Sequence, residues 1–169
     1  MDFPIEFQNM PQLLPPNMES LANPDHDWCV QDNWQSPPID GKIVCVRKGI
    51  KLPNNLYYGF WTDGVSVPEL LWTVSGISPF SMPELCWALP HDIAYSAELF
   101  TREICDDYLF EWAIMAGTGR IKRNMAYRAV KRFGGFVWKK HTKESVENAR
   151  KVCQLINVGE TPIWEPIFV

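Results

Sequence analysis

Ile43-Val44-Cys45-Val46, Leu56-Tyr57-Tyr58-Gly59-Phe60-Trp61, then Ser81-Met82-Pro83-Glu84 leading to His91-Asp92-Ile93-Ala94-Tyr95: across these segments the chain passes from a strand pattern to a helix pattern. The first two runs are short and rich in β-branched and aromatic residues, which favour a pleated, half-buried surface. Lys48-Gly49 and Pro53-Asn54-Asn55 read as turns between them, so a small antiparallel sheet is expected over residues 42–61. Thr62 to Pro68 then forms an exit loop. Ser81 and Glu84 have the spacing of a capping box, which predicts a helix carrying Leu85, Ala88, His91, Asp92 and Tyr95.

Downstream the helical pattern continues. Thr101 can cap a second helix over roughly 102–116, and its apolar residues Ile104, Tyr108, Leu109, Phe110, Ala113 and Ile114 nearly surround it, which predicts a central place in the core. Gly117 and Gly119 end it. In a third helix Ile121, Met125, Ala129 or Val130, and Phe133 recur at helical spacing, opposite a basic face of Lys122, Arg123, Arg128, Lys131 and Arg132. Gly134-Gly135 should weaken or bend that helix. Residues 143–156 are expected to form a last short helix, followed by an extended tail. Upstream, half of the chain's prolines fall in residues 1–40. They argue against regular helix or central strand, yet Phe3, Ile5, Phe7, Leu13, Leu14, Trp28 and Trp34 are too apolar for a plain linker. An extended arm that wraps the domain or a partner fits this composition, with Trp28 and Trp34 as candidate interface anchors. The expected fold is therefore α+β: a small antiparallel sheet on a bundle of about three helices, with an extended Pro-rich arm. The expected divisions are an arm at 1–40, a core domain at 41–142 and a C-terminal helix and tail at 143–169.

The 169 residues suffice for one domain with a real core. No apolar run is long enough to span a bilayer, and no signal peptide is read at the N-terminus. Five cysteines, with no Cys-x-x-Cys pair, fit reduced and mostly buried thiols rather than a disulfide framework or a zinc ribbon. The net charge of −4 conceals a polarised chain. Residues 1–119 carry 5 Lys/Arg and 16 Asp/Glu, residues 120–151 carry 11 and 2, and the remainder adds two acids. Such a distribution suggests docking to a charged partner, another protein or an acidic polymer, through the basic helix 120–140 or the arm. Nucleic acid is one acidic polymer that this basic segment fits by charge, with no nucleic-acid-binding motif beside it.

His91 is the candidate base. Adjacent helical residues point about 100° apart, so Asp92 cannot comfortably orient its neighbour, and the orienting carboxylate should come from the second helix. Asp107, between Ile104 and Phe110, is the first choice and Asp106 the alternative, since a carboxylate on an apolar face is costly unless paired. Tyr95, one turn beyond His91, can donate its hydroxyl to the same carboxylate. A histidine so held can deprotonate water for attack on an ester or amide, leaving Asp92 to bind a cation. Asp63 in the preceding loop is the second candidate metal ligand. The competing reading is a buried polar network that fixes helix packing. Pro90 inside the predicted helix either kinks it or starts a new helix with His91 near its positive end.

His91-Asp92-Ile93-Ala94-Tyr95-Ser96, with an aspartate on the next helix, resembles the core of phospholipase A2, particularly the form embedded in parvovirus capsid proteins. The resemblance implies that His91 activates water, Asp92 ligates a divalent cation such as calcium, and Asp107 or Asp106 orients the histidine. A longer set of motifs resembles a bacteriophage and prophage domain family of unknown function: Gly59 to Pro68, Leu71-Trp72, His91-Asp92-x-x-Tyr95, Asp107-x-x-Phe110-x-x-Ala113, Ala126-Tyr127 and Val130 to Trp138. It spans about residues 42–140 and implies a phage or prophage origin, with the host cytoplasm or the virion as location and other phage proteins as partners. Two functions are expected in consequence. One is a hydrolase of a lipid or other ester; the other is a non-enzymatic virion or assembly component in which the His/Asp cluster is architectural.

Overall fold

Strand β4 (Lys42–Val46) is the seam of the molecule. Val44, Cys45 and Val46 are all buried, so both faces of the strand are covered, and its two edges are paired as well. In this computed structural model, which describes residues 13–14, 28–30, 32–51, 57–62 and 82–166, those edges are taken by β3 (Trp34–Gln35) and β8 (Cys153–Asn157), both antiparallel. Two further antiparallel sheets are built from β1 (Leu13–Leu14), β2 (Trp28–Val30) and β7 (Trp61–Thr62), and from β5 (Ile50–Lys51) and β6 (Tyr57–Tyr58). The strands expected within 42–61 are present, but they do not form one sheet. β4 and β7 take partners from outside that segment, because strand propensity specifies a pleated surface and not its neighbour.

The sequence boundary placed at residue 40 falls inside a tight hairpin. Asp40 (φ 49°) and Gly41 (φ 72°) both occupy the left-handed region, and Ile39 and Lys42 exchange amide hydrogen bonds of 2.9 and 2.8 Å. That is the two-residue Asp-Gly turn whose twist matches the strands it joins. The segment before it belongs to the core: Trp34 is 3% exposed, Ser36 accepts the Val44 amide, and Trp112 Nε1 donates to the Pro37 carbonyl. Trp34 is therefore core and not a surface anchor; the Trp28 side chain and most of the arm lie outside the described residues. The boundary at residue 143 is likewise crossed by a strand pairing. Helix α4 (Lys143–Arg150), capped reciprocally by Thr142 and Ser145, stops at Arg150, and residues 153–157 are strand β8 rather than helix. Val152, Cys153 and Ile156 bury apolar area there, which an exposed continuation of α4 would forgo.

Helix α1 (Met82–Ser96), not the second helix, occupies the centre. Every described side chain from Glu84 to His91 is buried, and Ile93, Ala94 and Tyr95 continue the burial. The helix runs through Pro90 without a break, so His91 sits mid-helix and not at an N-terminus. Its dense surroundings hold the helix where the missing Pro90 amide weakens it. Ser81, the expected cap, lies outside the described residues. Helix α2 (Arg102–Met115) starts at the expected Thr101 cap and ends with Gly117 at φ 69°. It is amphipathic: Cys105, Asp106, Leu109, Trp112 and Ala113 are buried, whereas Ile104 and Ile114 face solvent. Helix α3 (Arg120–Trp138) packs on α2 through Ala126 and Ala129. Of the stripe expected from the spacing, Ala129 is buried and Met125 and Val130 are half-buried, while the two ends lie outside, with Ile121 77% exposed and Phe133 also exposed. Small residues take the contact because they let the helices approach closely. The helix is not interrupted at Gly134-Gly135.

Candidate functional site

Three elements converge on His91. From α1 come His91, Asp92 and Tyr95; from α2 come Arg102 and Asp106; from β7 comes Thr62. His91 Nε2 lies 3.5 Å from Asp106 Oδ1, and His91 Nδ1 lies 3.5 Å from Asp92 Oδ1. Both separations are long for a hydrogen bond, so they are charge contacts. Nε2 and Asp106 Oδ1 are nonetheless both sealed from solvent with no other partner, and a proton on Nε2 is the arrangement that serves both atoms. The second Asp106 oxygen accepts Arg102 Nη1 at 3.0 Å, one turn back on the same helix. The Thr62 hydroxyl donates to Asp92 Oδ2 at 2.9 Å.

Asp106 is thus the carboxylate that meets His91, and Asp107 is not. Asp107 is exposed, accepts Tyr127 Oη at 2.8 Å and pairs with Lys131 at 2.6 Å. The hydrogen bond from Lys131 chiefly holds its carboxyl below the usual aspartate range. The buried α2 stripe, Cys105-Asp106-Leu109-Trp112-Ala113, was missed in the sequence, where its signal lay in its small residues and its tryptophan. The stripe of Ile104, Asp107 and Phe110 was the more conspicuous one; Ile104 and Asp107 face outward, and Phe110 is half-buried against Tyr127. Tyr95 also departs from expectation. Its hydroxyl donates to the Gly134 carbonyl at 2.5 Å rather than to the aspartate. Its ring lies tilted 5.0 Å from His91 and meets Trp138 edge to face at 4.7 Å, which makes it a packing partner of the imidazole.

Electrostatics set the charge of the site. Burial is the largest single influence on His91 and opposes the imidazolium. Asp106 and Asp92 together outweigh it and hold its pKa above the ordinary value. His141, to which the sequence assigned no partner, sits 3.1 Å from Glu98 and stacks on Trp138, extending the same aromatic layer. His26 lies outside the described residues. The five cysteines are buried free thiols. Desolvation pushes Cys45 up to about 11 and Cys86 and Cys105 up to about 12, so none of these three is a nucleophile at neutral pH.

For the expected cation, Asp63 lies outside the described residues, and so does most of the Thr62–Pro68 loop. Among the described residues no three His, Cys, Asp or Glu side chains are gathered as a metal site. Asp92 has one oxygen on Thr62 and the other facing the imidazole. Calcium takes six to eight oxygens, which these residues do not supply.

Fold and site together define a small α+β protein built around a buried histidine–aspartate–arginine network. The chain belongs to a family described as protein of unknown function (DUF1353), whose family model matches residues 42–130. That match covers β4 through most of α3 and so includes every side chain of the network. No curated protein and no solved structure matches the chain.

Proposed function

We propose that the His91 cluster is a hydrolytic centre acting on a lipid or other ester. The observation that carries this reading is the contact of His91 Nε2 with the buried Asp106, itself anchored by Arg102. A proton fixed on Nε2 leaves Nδ1 as the basic atom, on the side of Asp92 and Thr62. In the proposed reaction Nδ1 takes a proton from water as the water oxygen bonds to the ester carbonyl carbon. The imidazolium so formed is stabilised by both carboxylates. It then returns the proton to the departing alkoxide as the ester C–O bond breaks. The local likeness to phospholipase A2 supports this assignment by analogy. A cation bound through Asp92 remains part of the proposal only if Asp63 or its loop supplies further oxygens.

The test is hydrolysis of phospholipid vesicles and of soluble chromogenic esters, each with and without calcium. His91→Asn should lower the rate by about 10²–10⁴-fold. Asp106→Asn should also impair it, while Asp107→Asn leaves it near wild type. Absence of turnover on every substrate, or an unimpaired His91→Asn, sinks the reading.

A second reading rests on a different observation: His91 is only 8% exposed, and both its nitrogens face carboxylates. On that basis the cluster is an ionic clamp between α1 and α2. The chain is then a non-enzymatic component, of a bacteriophage virion or its assembly if the motif resemblance is carried over. Recovery of the chain in purified virions, together with inactivity on all esters, favours this alternative.

A further inference from the structure

Between the first turn of α2 and the outer face of α3 lies a cleft of about 260 Å³, lined by Arg102, Lys131, Arg132, Gly135, Phe136 and Lys139. Four of these six are cations, and no carboxylate is among them. The four α3 positions, 131, 132, 135 and 136, and Lys139 at its C-cap follow one another at spacings of one and three, so they share one face of that helix, with Arg102 opposite. Two of the cations are partly neutralised from outside the cleft. Arg102 binds Asp106 and Glu103; Lys131 binds Asp107 and the Glu103 carbonyl. Arg132 and Lys139 form no ion pair among the described residues, and the Arg132 guanidinium lies 5.6 Å from the Phe133 ring. Like charges gathered around one concavity repel each other, and an anion of two charges relieves that repulsion at several contacts at once. Planar guanidinium groups on opposite sides suit the tetrahedral oxygens of a phosphate. The floor is open at Gly135, where an added Cβ would meet nothing within 4 Å. Phe136, 69% exposed, gives the cleft an apolar wall.

We propose that this cleft binds the phosphate group of a phosphate ester. Its volume lies just below the usual range of ligand sites, which suits a head group rather than a whole nucleotide or lipid. The source of the phosphate is either a phospholipid head group or a soluble phosphate ester, and the chemistry of recognition is the same for both. This inference goes beyond the hydrolytic reading and stands without it: Arg102 alone is shared with the His91 network, through Asp106, and Arg132, Lys139 and Phe136 belong to the cleft only.

Calorimetric titration of the full chain at fixed ionic strength with inorganic phosphate and with glycerol phosphate should give saturable binding. The double variant Arg132→Ala/Lys139→Ala alters two exposed side chains and should weaken it at least tenfold. His91→Asn should leave it unchanged, which separates this site from the hydrolytic one. In a parallel arm the chain is sedimented with phosphatidylcholine vesicles, with and without phosphatidic acid. Pelleting that needs phosphatidic acid and is competed by inorganic phosphate assigns a lipid source. Saturable phosphate binding without pelleting assigns a soluble ester. No saturable binding in either arm, or equal affinity in the double variant, overturns the proposal. Loss of binding in His91→Asn would move the anion to the histidine site and overturn the placement.

Discussion

At Gly134 the backbone of α3 comes so close to Tyr95 that an added Cβ would lie 2.7 Å from the phenol oxygen and 3.7 Å from Asp106 Oδ1. Tyr95 cannot yield easily, because Trp138 and His141 flank its ring and its hydroxyl is bonded to Gly134 itself. A Cβ at Gly135 would meet nothing within 4 Å. Gly135→Ala should therefore stabilise the protein by about 0.5–1 kcal/mol, the usual gain inside a helix. Gly134→Ala should destabilise it by about 1–3 kcal/mol, as overpacking does. Denaturant titration of the two variants reads the sign directly, and equal shifts would refute the close approach. The sequence showed two helix-weakening glycines and could not distinguish them, since the difference lies in a tyrosine 39 positions away. His91 was legible as a candidate through its motif. Its partner was narrowed to two adjacent aspartates, and which one faces inward depends on the rotation of α2, which Trp112 and Cys105 determine.

Elements were easier to read than their pairings. The Thr101 start of α2 and its Gly117 stop were legible because caps are local chemistry. The strand β8 was not, since Gln154 and Asn157 carry no strand signal and the segment follows a helix directly. Its register against β4, Ile43 opposite Ile156 and Val46 opposite Cys153, is a long-range fact. Truncation after Val152 would leave that edge of β4 unpaired, presenting Val44, Cys45 and Val46 as a template for association. Expected outcomes are a lower thermal midpoint and growth of large species by light scattering. A truncated chain that matches the full chain in both would show that β8 contributes little.

The whole molecule carries a pH dependence that follows from the charge at its centre. Because the folded His91 pKa is raised, the stability it contributes is fully present below the unfolded value of about 6.5. It is lost as pH rises through the folded pKa, where the imidazolium between Asp106 and Asp92 gives up its proton. The denaturation midpoint should therefore fall from pH 6 toward alkaline pH, and His91→Asn should flatten that slope. A wild-type profile parallel to the variant's across the range would contradict the charge assigned to the clamp. The α+β character of the fold was legible at this scale, because the pattern changes sharply between residues 61 and 82. The division into arm, core and tail was less so: Trp34 and Cys153 lie in one core although the sequence places them in separate segments.

The pairing of β4 with β8 also orders events during synthesis. Lys42 and Asn157, joined by a hydrogen bond across 115 positions, cannot meet until the ribosome has released nearly all of the described chain. The helices α1 to α3 are complete well before then and can settle around His91 while one edge of β4 still waits for its neighbour. A translating chain thus carries its histidine network ahead of its finished sheet, and the last of the described strands to emerge is the one that covers the open edge of β4.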